Sequence, residues 1–168
     1  MNPATEAHAA ELIVEARANK KPLRIEGGGT RSPTGRPLGE LPVLSTKALS
    51  GITLFEPSEL VIAAKPGTSM AEVNAAIASA NLIFPFEPAD YRALLGTTGE
   101  PTMGGLAATN TSGQRRINAG SVRDQLLGIR LVNGRGEHVK SGGRVMKNVT
   151  GLALVHINWG AYGQLGTA

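Results

Sequence analysis

The chain has 168 residues, of which 41% are apolar, 4% aromatic and none cysteine. That apolar share supports a real core and excludes a disordered chain, while the missing cysteine excludes disulfides, thiolate catalysis and cysteine-held metal clusters. The net charge of +4 is uneven: residues 1–99 hold 9 Lys+Arg against 10 Asp+Glu, and residues 100–168 hold 8 against 3. A basic second half attracts anions. Only Trp159 and Tyr162 offer aromatic platforms there, both beyond the basic cluster, so a diphosphate or an acidic partner explains the charge better than nucleic acid.

Asn2-Pro3 predicts a helix start, and Leu12, Ile13 and Ala16 give an inner face that runs to about Ala18, where Asn19-Lys20-Lys21-Pro22 ends it. The acidic Glu6, Glu11 and Glu15 are unlike a signal peptide, and no apolar window reaches membrane-span length. Leu23-Arg24-Ile25-Glu26 alternates as a short strand that runs into a glycine-rich segment. A loop over 31–42 precedes a short strand at Val43-Leu44-Ser45. The unbroken apolar run Leu60-Val61-Ile62-Ala63-Ala64 predicts a buried parallel strand. Ser69 with Glu72 forms a capping-box pattern for a helix to about Ala80, and Asn81 ends it. Leu82-Ile83-Phe84 reads as a further strand. Residues 87–125 read as loop with one short helix near 105–109. A hairpin follows, with a strand over 128–132, a turn at Asn133-Gly134 and a return over 137–140. A last helix is expected over 151–158. This order predicts α/β architecture passing to α+β, in two lobes of about 1–66 and 67–168.

Three segments carry chemistry. Gly27-Gly28-Gly29-Thr30-Arg31-Ser32 follows a strand. It suits either a tight turn or a nest of backbone N–H groups for an anion, with Thr30 and Ser32 adding hydroxyls and Arg31 adding charge. It is neither a P-loop nor a dinucleotide fingerprint, because no Gly-Lys follows and a third glycine is missing. Residues 101–113 are small, polar and glycine-rich, suited to backbone contact with a planar or extended ligand, or to a loop capping a short helix. In Gly120-Ser121-Val122-Arg123-Asp124, Arg123 suits a phosphate or a surface ion pair. His8, His138 and His156 stand in separate elements, so no zinc, calcium or hydrolase site is expected.

Taken in order, these segments resemble the FAD-binding, PCMH-type domain of the vanillyl-alcohol oxidase / p-cresol methylhydroxylase family, and within it the subunits that carry this domain in glycolate oxidases. The likeness rests on residues 22–31, Lys65-Pro66-Gly67-Thr68, Thr102-Met103-Gly104-Gly105, Ala108-Thr109-Asn110-Thr111-Ser112-Gly113 with Arg115-Arg116, residues 120–124, the hairpin over 126–147, and Met146-Lys147-Asn148-Val149-Thr150-Gly151. It implies an FAD diphosphate cradled between two lobes. The cofactor residues it implies are Gly27, Gly28, Gly29, Thr30, Arg31, Ser32, Pro66, Gly67, Thr102, Met103, Gly104, Gly105, Ala108, Thr109, Asn110, Ser112, Gly113, Gly120, Arg123 and Asp124.

The resemblance further implies oxidation of a small 2-hydroxy acid such as glycolate, with the flavin doing the redox chemistry. It places the chain beside the other subunits of a glycolate oxidase-like complex, in the cytoplasm or at the inner membrane through those partners. Relatives continue into a substrate or cap domain, so the chain is expected to be the cofactor half alone, with an open face suited to self-association. The alternative is a scaffold subunit that has lost FAD or holds it weakly. Leu152-Ala153 replaces the aromatic-Asp pair usual in relatives, and no His adjoins the glycine segment, so FAD is expected to be non-covalent.

Overall fold

The computed structural model describes residues 1–37, 39–143, 160–164 and 166–167. Helix α1 spans Glu6–Ala18. Its N-cap is Thr5, whose hydroxyl accepts the His8 amide, rather than the expected Asn2; Pro3 is instead fully buried. Thr5→Ala removes that cap and is expected to cost about 1 kcal/mol in urea denaturation.

Strands β1 (Arg24–Glu26) and β2 (Val43–Ser45) pair in parallel. A parallel pair cannot be joined by a tight turn, so residues 27–42, glycine segment included, form the crossover between them. Leu44 of β2 is fully buried.

Strand β4 (Val61–Ala64) departs from its predicted role. It is half-buried and pairs antiparallel with β3 (Ile52–Glu56), a strand the sequence reading missed. Leu60 is no part of it: the residue takes a left-handed conformation at φ 55° and is 75% exposed. An unbroken apolar run cannot distinguish a two-sided parallel strand from a half-covered antiparallel one.

Helix α2 (Met70–Ser79) follows its prediction closely, with the Ser69 hydroxyl accepting the Glu72 amide. The strand expected over 82–84 does not form. Asn81 turns the chain at φ 57°, Pro85 supplies no N–H for a ladder, and Ile83 is 81% exposed. Phe84 instead tilts against Phe86 with ring centroids 4.9 Å apart.

The stretch read as loop with one short helix near 105–109 holds that helix as α4 (Met103–Thr109) and three more: α3 (Arg92–Leu95), α5 (Arg116–Ala119) and α6 (Val122–Gln125). Strands β5 (Gly128–Asn133) and β6 (His138–Gly142) form the expected hairpin, and β7 (Gly166–Thr167) adds on the far side of β5. The positive φ falls at Gly136 rather than Gly134, because the Asn133 side chain caps the turn by accepting the Arg135 and Glu137 amides. The helix predicted over 151–158 lies outside the described residues.

The result is the mixed α/β architecture that the sequence predicts. A core cluster of Met70, Phe86, Leu106 and Val122 gathers α2, α4 and α6. Phe84 and Met103 pack against it. Each fully buried side chain of this size contributes about 1.5–3 kcal/mol. This cluster holds α4 against the start of α2, and the candidate site is built there.

Candidate site at the glycine turn

The glycine segment leaves β1 and turns at Gly29, where φ is +75°. Such a φ is nearly free for glycine and costly for other residues. Among the described residues, the amides of Gly28, Gly29, Thr30 and Arg31 donate none of the hydrogen bonds. Gly28 and Thr30 are nevertheless buried. Unmet donors gathered in one turn are the hallmark of an anion nest.

The two glycine-rich motifs meet directly. A Cβ on Gly27 would lie 2.5 Å from the Thr102 Oγ1. Thr102 is 4% exposed and caps α4 by accepting the Gly105 amide. Gly105 carries no side chain over this turn, and a Cβ there would lie 3.7 Å from an Arg31 guanidinium nitrogen.

Pro66 and Gly67 belong to the same assembly. The Gly104 amide donates to the Pro66 carbonyl at 2.8 Å, Met103 donates to Thr68, and Met70 donates to Pro101. Gly67 is pinned among the carbonyls of Thr46, Lys47 and Leu49, where a Cβ would approach 2.2 Å. Backbone thus stitches 66–70 to 101–104, with β2's exit behind them.

Arg31 reaches out of the turn. One guanidinium nitrogen donates to the Ala89 carbonyl at 2.9 Å and to Thr111 Oγ1 at 2.7 Å, and the group lies over the Tyr91 ring at 5.6 Å. Its Nε is buried with no partner among the described residues. Burial pushes its pKa down, with Tyr91 and Asp90 opposing the shift, yet a guanidinium keeps its charge in any protein setting. The Ser32 hydroxyl donates to Glu26, and both groups lie beside Gly29.

The remaining predicted residues support the floor of the site. Thr109 donates to the Gly105 carbonyl and adjoins Thr111. Ala108 accepts the Tyr162 amide. Asn110 ends α4 at φ 48°, and its Oδ1 accepts the Arg123 amide. The Ser112 hydroxyl accepts the Val122 amide, and Gly113 donates to the carbonyls of Phe86 and Glu87. Gly120, at φ +79°, lets Ser121 and Asp124 close a capping box on α6. Arg123 and Asp124 seat α6, the first through its amide on Asn110 and the second through the capping box. Arg115 pairs with Glu87 at 3.0 Å, as a solvated pair would.

A cleft of about 180 Å³ opens beside this assembly. It is lined by Arg31 and Thr102 with Met70, Asn74, Asp90 and Arg92, but not by residues 27–30. Its size suits part of a dinucleotide rather than the whole.

Sequence reasoning missed Tyr91, Arg92, Thr97 and Gly99, and it left Thr68 and Thr111, which lie in its motifs, out of the cofactor set. Thr68 is fully buried, and its hydroxyl bonds both the amide and the carbonyl of Gly51. Gly99 was the one readable signal, a glycine three residues before the α4 cap. Among the described residues no group of His, Asp and Glu is placed to hold a metal.

The unmet amides and the buried Arg31 Nε fit the diphosphate of FAD, and the glycines let the surrounding backbone close on the turn that carries them. Gly27, Gly28, Gly29, Thr30 and Arg31 would hold it, beside Thr102 and Gly105.

A family model described as an FAD binding domain matches residues 1–142. The glycolate oxidase subunit GlcE of Escherichia coli strain K12 is 40% identical over 157 residues, covering 93% of this chain and 43% of that protein. A D-lactate dehydrogenase of Archaeoglobus fulgidus is 27% identical over 166 residues, covering 98% of this chain and 35% of that one. The chain therefore spans less than half the length of these curated relatives. Alkyldihydroxyacetonephosphate synthase shares the fold at a TM-score of 0.72 and 18% identity, over 99% of this chain and 29% of the synthase. The chain belongs to the FAD-binding domain family, in its PCMH-type form, and its cofactor is FAD.

Proposed function

We propose that this chain is the FAD-binding part of a flavin-dependent oxidoreductase acting on a small 2-hydroxy acid such as glycolate. The observation that carries the reading is the meeting of the glycine turn, with its four unmet amides, and the α4 cap at Thr102. The likeness to GlcE adds the substrate class.

FAD, when bound, supplies the ring that accepts a hydride. The chain's own groups bind and orient: the amides of residues 28–31 and the Arg31 guanidinium meet the diphosphate charge. Glycines at 27 and 28 let Thr102 and the Glu100 backbone close on the turn, and Gly105 leaves room beside the Arg31 guanidinium. On this reading the cradle lies between a first lobe of about 1–66 and a second of about 67–168, with the Gly104 amide donating to the Pro66 carbonyl across the boundary. Among the described residues no His adjoins the glycine turn, which supports non-covalent binding.

The relative's name as a subunit supports a place in a complex with other glycolate oxidase-like subunits, in the cytoplasm or at the inner membrane through them. Among the described residues no helix is long and apolar enough to cross a membrane.

The test is an absorption spectrum of purified protein after incubation with FAD and desalting. Retained flavin bands, released as free FAD by acid precipitation, are the expected result. A colourless protein that also leaves FAD fluorescence unchanged on titration would move the weight to a scaffold role. A colourless wild type that regains flavin only with partner subunits present would place the missing contacts on those partners.

A further inference from the structure

Against the glycine turn lies a second layer, residues 90–100, whose last residues pack on the turn's backbone. Arg92, at the start of α3, ties the two ends of this layer together. Its Nε donates to both Asp90 carboxylate oxygens at 3.1 and 3.0 Å, and a terminal nitrogen donates to Asp90 at 2.8 Å. The other terminal nitrogen reaches the Gly99 carbonyl at 3.4 Å and the Glu100 carboxylate at 3.3 Å. Between these ends Gly96, at φ +64°, reverses the chain. The planar fork of an arginine allows this bridging, and a lysine ammonium lacks it.

The stapled end meets the glycine turn backbone to backbone. A Cβ on Gly28 would lie 1.5 Å from the Glu100 carbonyl oxygen, and a Cβ on Gly99 would lie 1.7 Å from the Gly28 carbonyl oxygen. The Thr97 hydroxyl donates to the Thr30 carbonyl at 2.9 Å across 67 residues. A trans peptide is planar, so its carbonyl and the next N–H point in opposite directions. Every described peptide bond here is trans. Holding the Gly28 carbonyl against Gly99 therefore aims the Gly29 N–H, and holding the Thr30 carbonyl by Thr97 aims the Arg31 N–H. Two of the four amides of the nest are thus oriented through the carbonyls of their own peptides, by residues 97–99.

We propose that Arg92 is a positioning residue for the diphosphate nest: by stapling Asp90 to Gly99 and Glu100 it holds residues 97–100 against the glycine turn and pre-aims the Gly29 and Arg31 amides. This rests on the FAD reading for its ligand but not for its geometry. Pre-aimed donors bind more tightly because their ordering is not charged to the binding step. Asp90, whose carboxyl is held below its ordinary range chiefly by the Arg92 hydrogen bond, is the anchor of the staple.

The test uses hydrogen–deuterium exchange of ligand-free protein, read by mass spectrometry, with Arg92→Met and, separately, Thr97→Val. Arg92→Met keeps the aliphatic stem and removes the fork; Thr97→Val removes one hydroxyl and leaves the staple. Both are expected to speed exchange in the peptide covering residues 27–34, read at the bonded amides of Ser32 and Thr34, by roughly five- to tenfold, the scale of one or two lost hydrogen bonds, with α1 and the β5–β6 hairpin unchanged. Affinity for FAD, and for inorganic pyrophosphate as a probe, should fall by a similar factor, and Arg92→Lys should not restore it. Unchanged exchange at 27–34 in both variants overturns the proposal. So does acceleration spread evenly over the chain, which makes Arg92 a general stabiliser. A wild type that binds no FAD yet shows the local acceleration in both variants retains the positioning role and removes only the ligand assignment.

Discussion

Gly28→Ala is expected to abolish FAD retention and lower the melting temperature by roughly 6–12 °C. The added Cβ would stand 1.5 Å from the Glu100 carbonyl oxygen and 2.6 Å from its carbon. Both are backbone atoms of a segment held at two ends, so no side chain can swing aside. One of the two segments must move, and overpacking of this kind costs about 3 kcal/mol. In a chain of this length each kcal/mol shifts the midpoint by about 2–4 °C. Whichever segment moves, the turn loses the orientation of its amides. Thermal melts and FAD titration of the variant check this, with Gly134→Ala as the control, since a Cβ on Gly134 meets nothing within 4 Å. Wild-type melting and affinity in Gly28→Ala would show that the two backbones separate freely, contrary to the packing described.

The second large effect is expected at Leu106. This residue is 3% exposed and lies in the cluster that joins α2, α4 and α6. Leu106→Ala leaves a cavity among Met70, Phe86 and Val122, and such deletions cost about 2–5 kcal/mol in urea denaturation. The loss also has a functional arm, because α4 is only seven residues long and cannot hold itself together. When its one buried anchor shrinks, the Thr102 cap and the Gly104 contact with Pro66 lose their support. FAD affinity should therefore fall together with stability, whereas Thr5→Ala at α1 should lower stability alone. A Leu106→Ala protein with undiminished FAD affinity would show that the nest is seated without α4.

The candidate site was largely legible because its signals are local. Although the Thr102 cap and the Ser121 capping box went unread, three glycines after a strand and a short helix in a small-residue segment each read from neighbouring residues, and each is present. The same holds for α2, whose cap is Ser69. Legibility stopped where partners are distant. Strand β3 was missed because Ile52, Thr53, Leu54, Phe55 and Glu56 show no clean alternation, and their partner decides their state. Leu82, Ile83 and Phe84 have good strand propensity, yet Pro85 and the Asn81 turn leave them no ladder. Ser32 was read as an anion donor because its hydroxyl is near in sequence, but Glu26, reached back across the turn, takes it. Arg92 carried no signal at all, since its importance arises from Gly99 and Glu100 being folded under Gly28.

The contacts that complete the nest join residues far apart in the chain. Arg31 meets Thr111 across 80 residues, and Thr97 meets Thr30 across 67. Loops of that span lose much conformational freedom on closing, and nothing offsets the loss until the contact is made. The helices and the β5–β6 hairpin, being local, can form first, so the nest is expected to be among the last parts of the molecule to assemble during folding. Anything that binds it selects chains that have finished folding and stabilises them by mass action, in proportion to the logarithm of its concentration over Kd. In this chain, then, cofactor supply acts as a late checkpoint on folding, and protease resistance gained on adding FAD should appear first at residues 27–37 and 90–100, the two segments that close it.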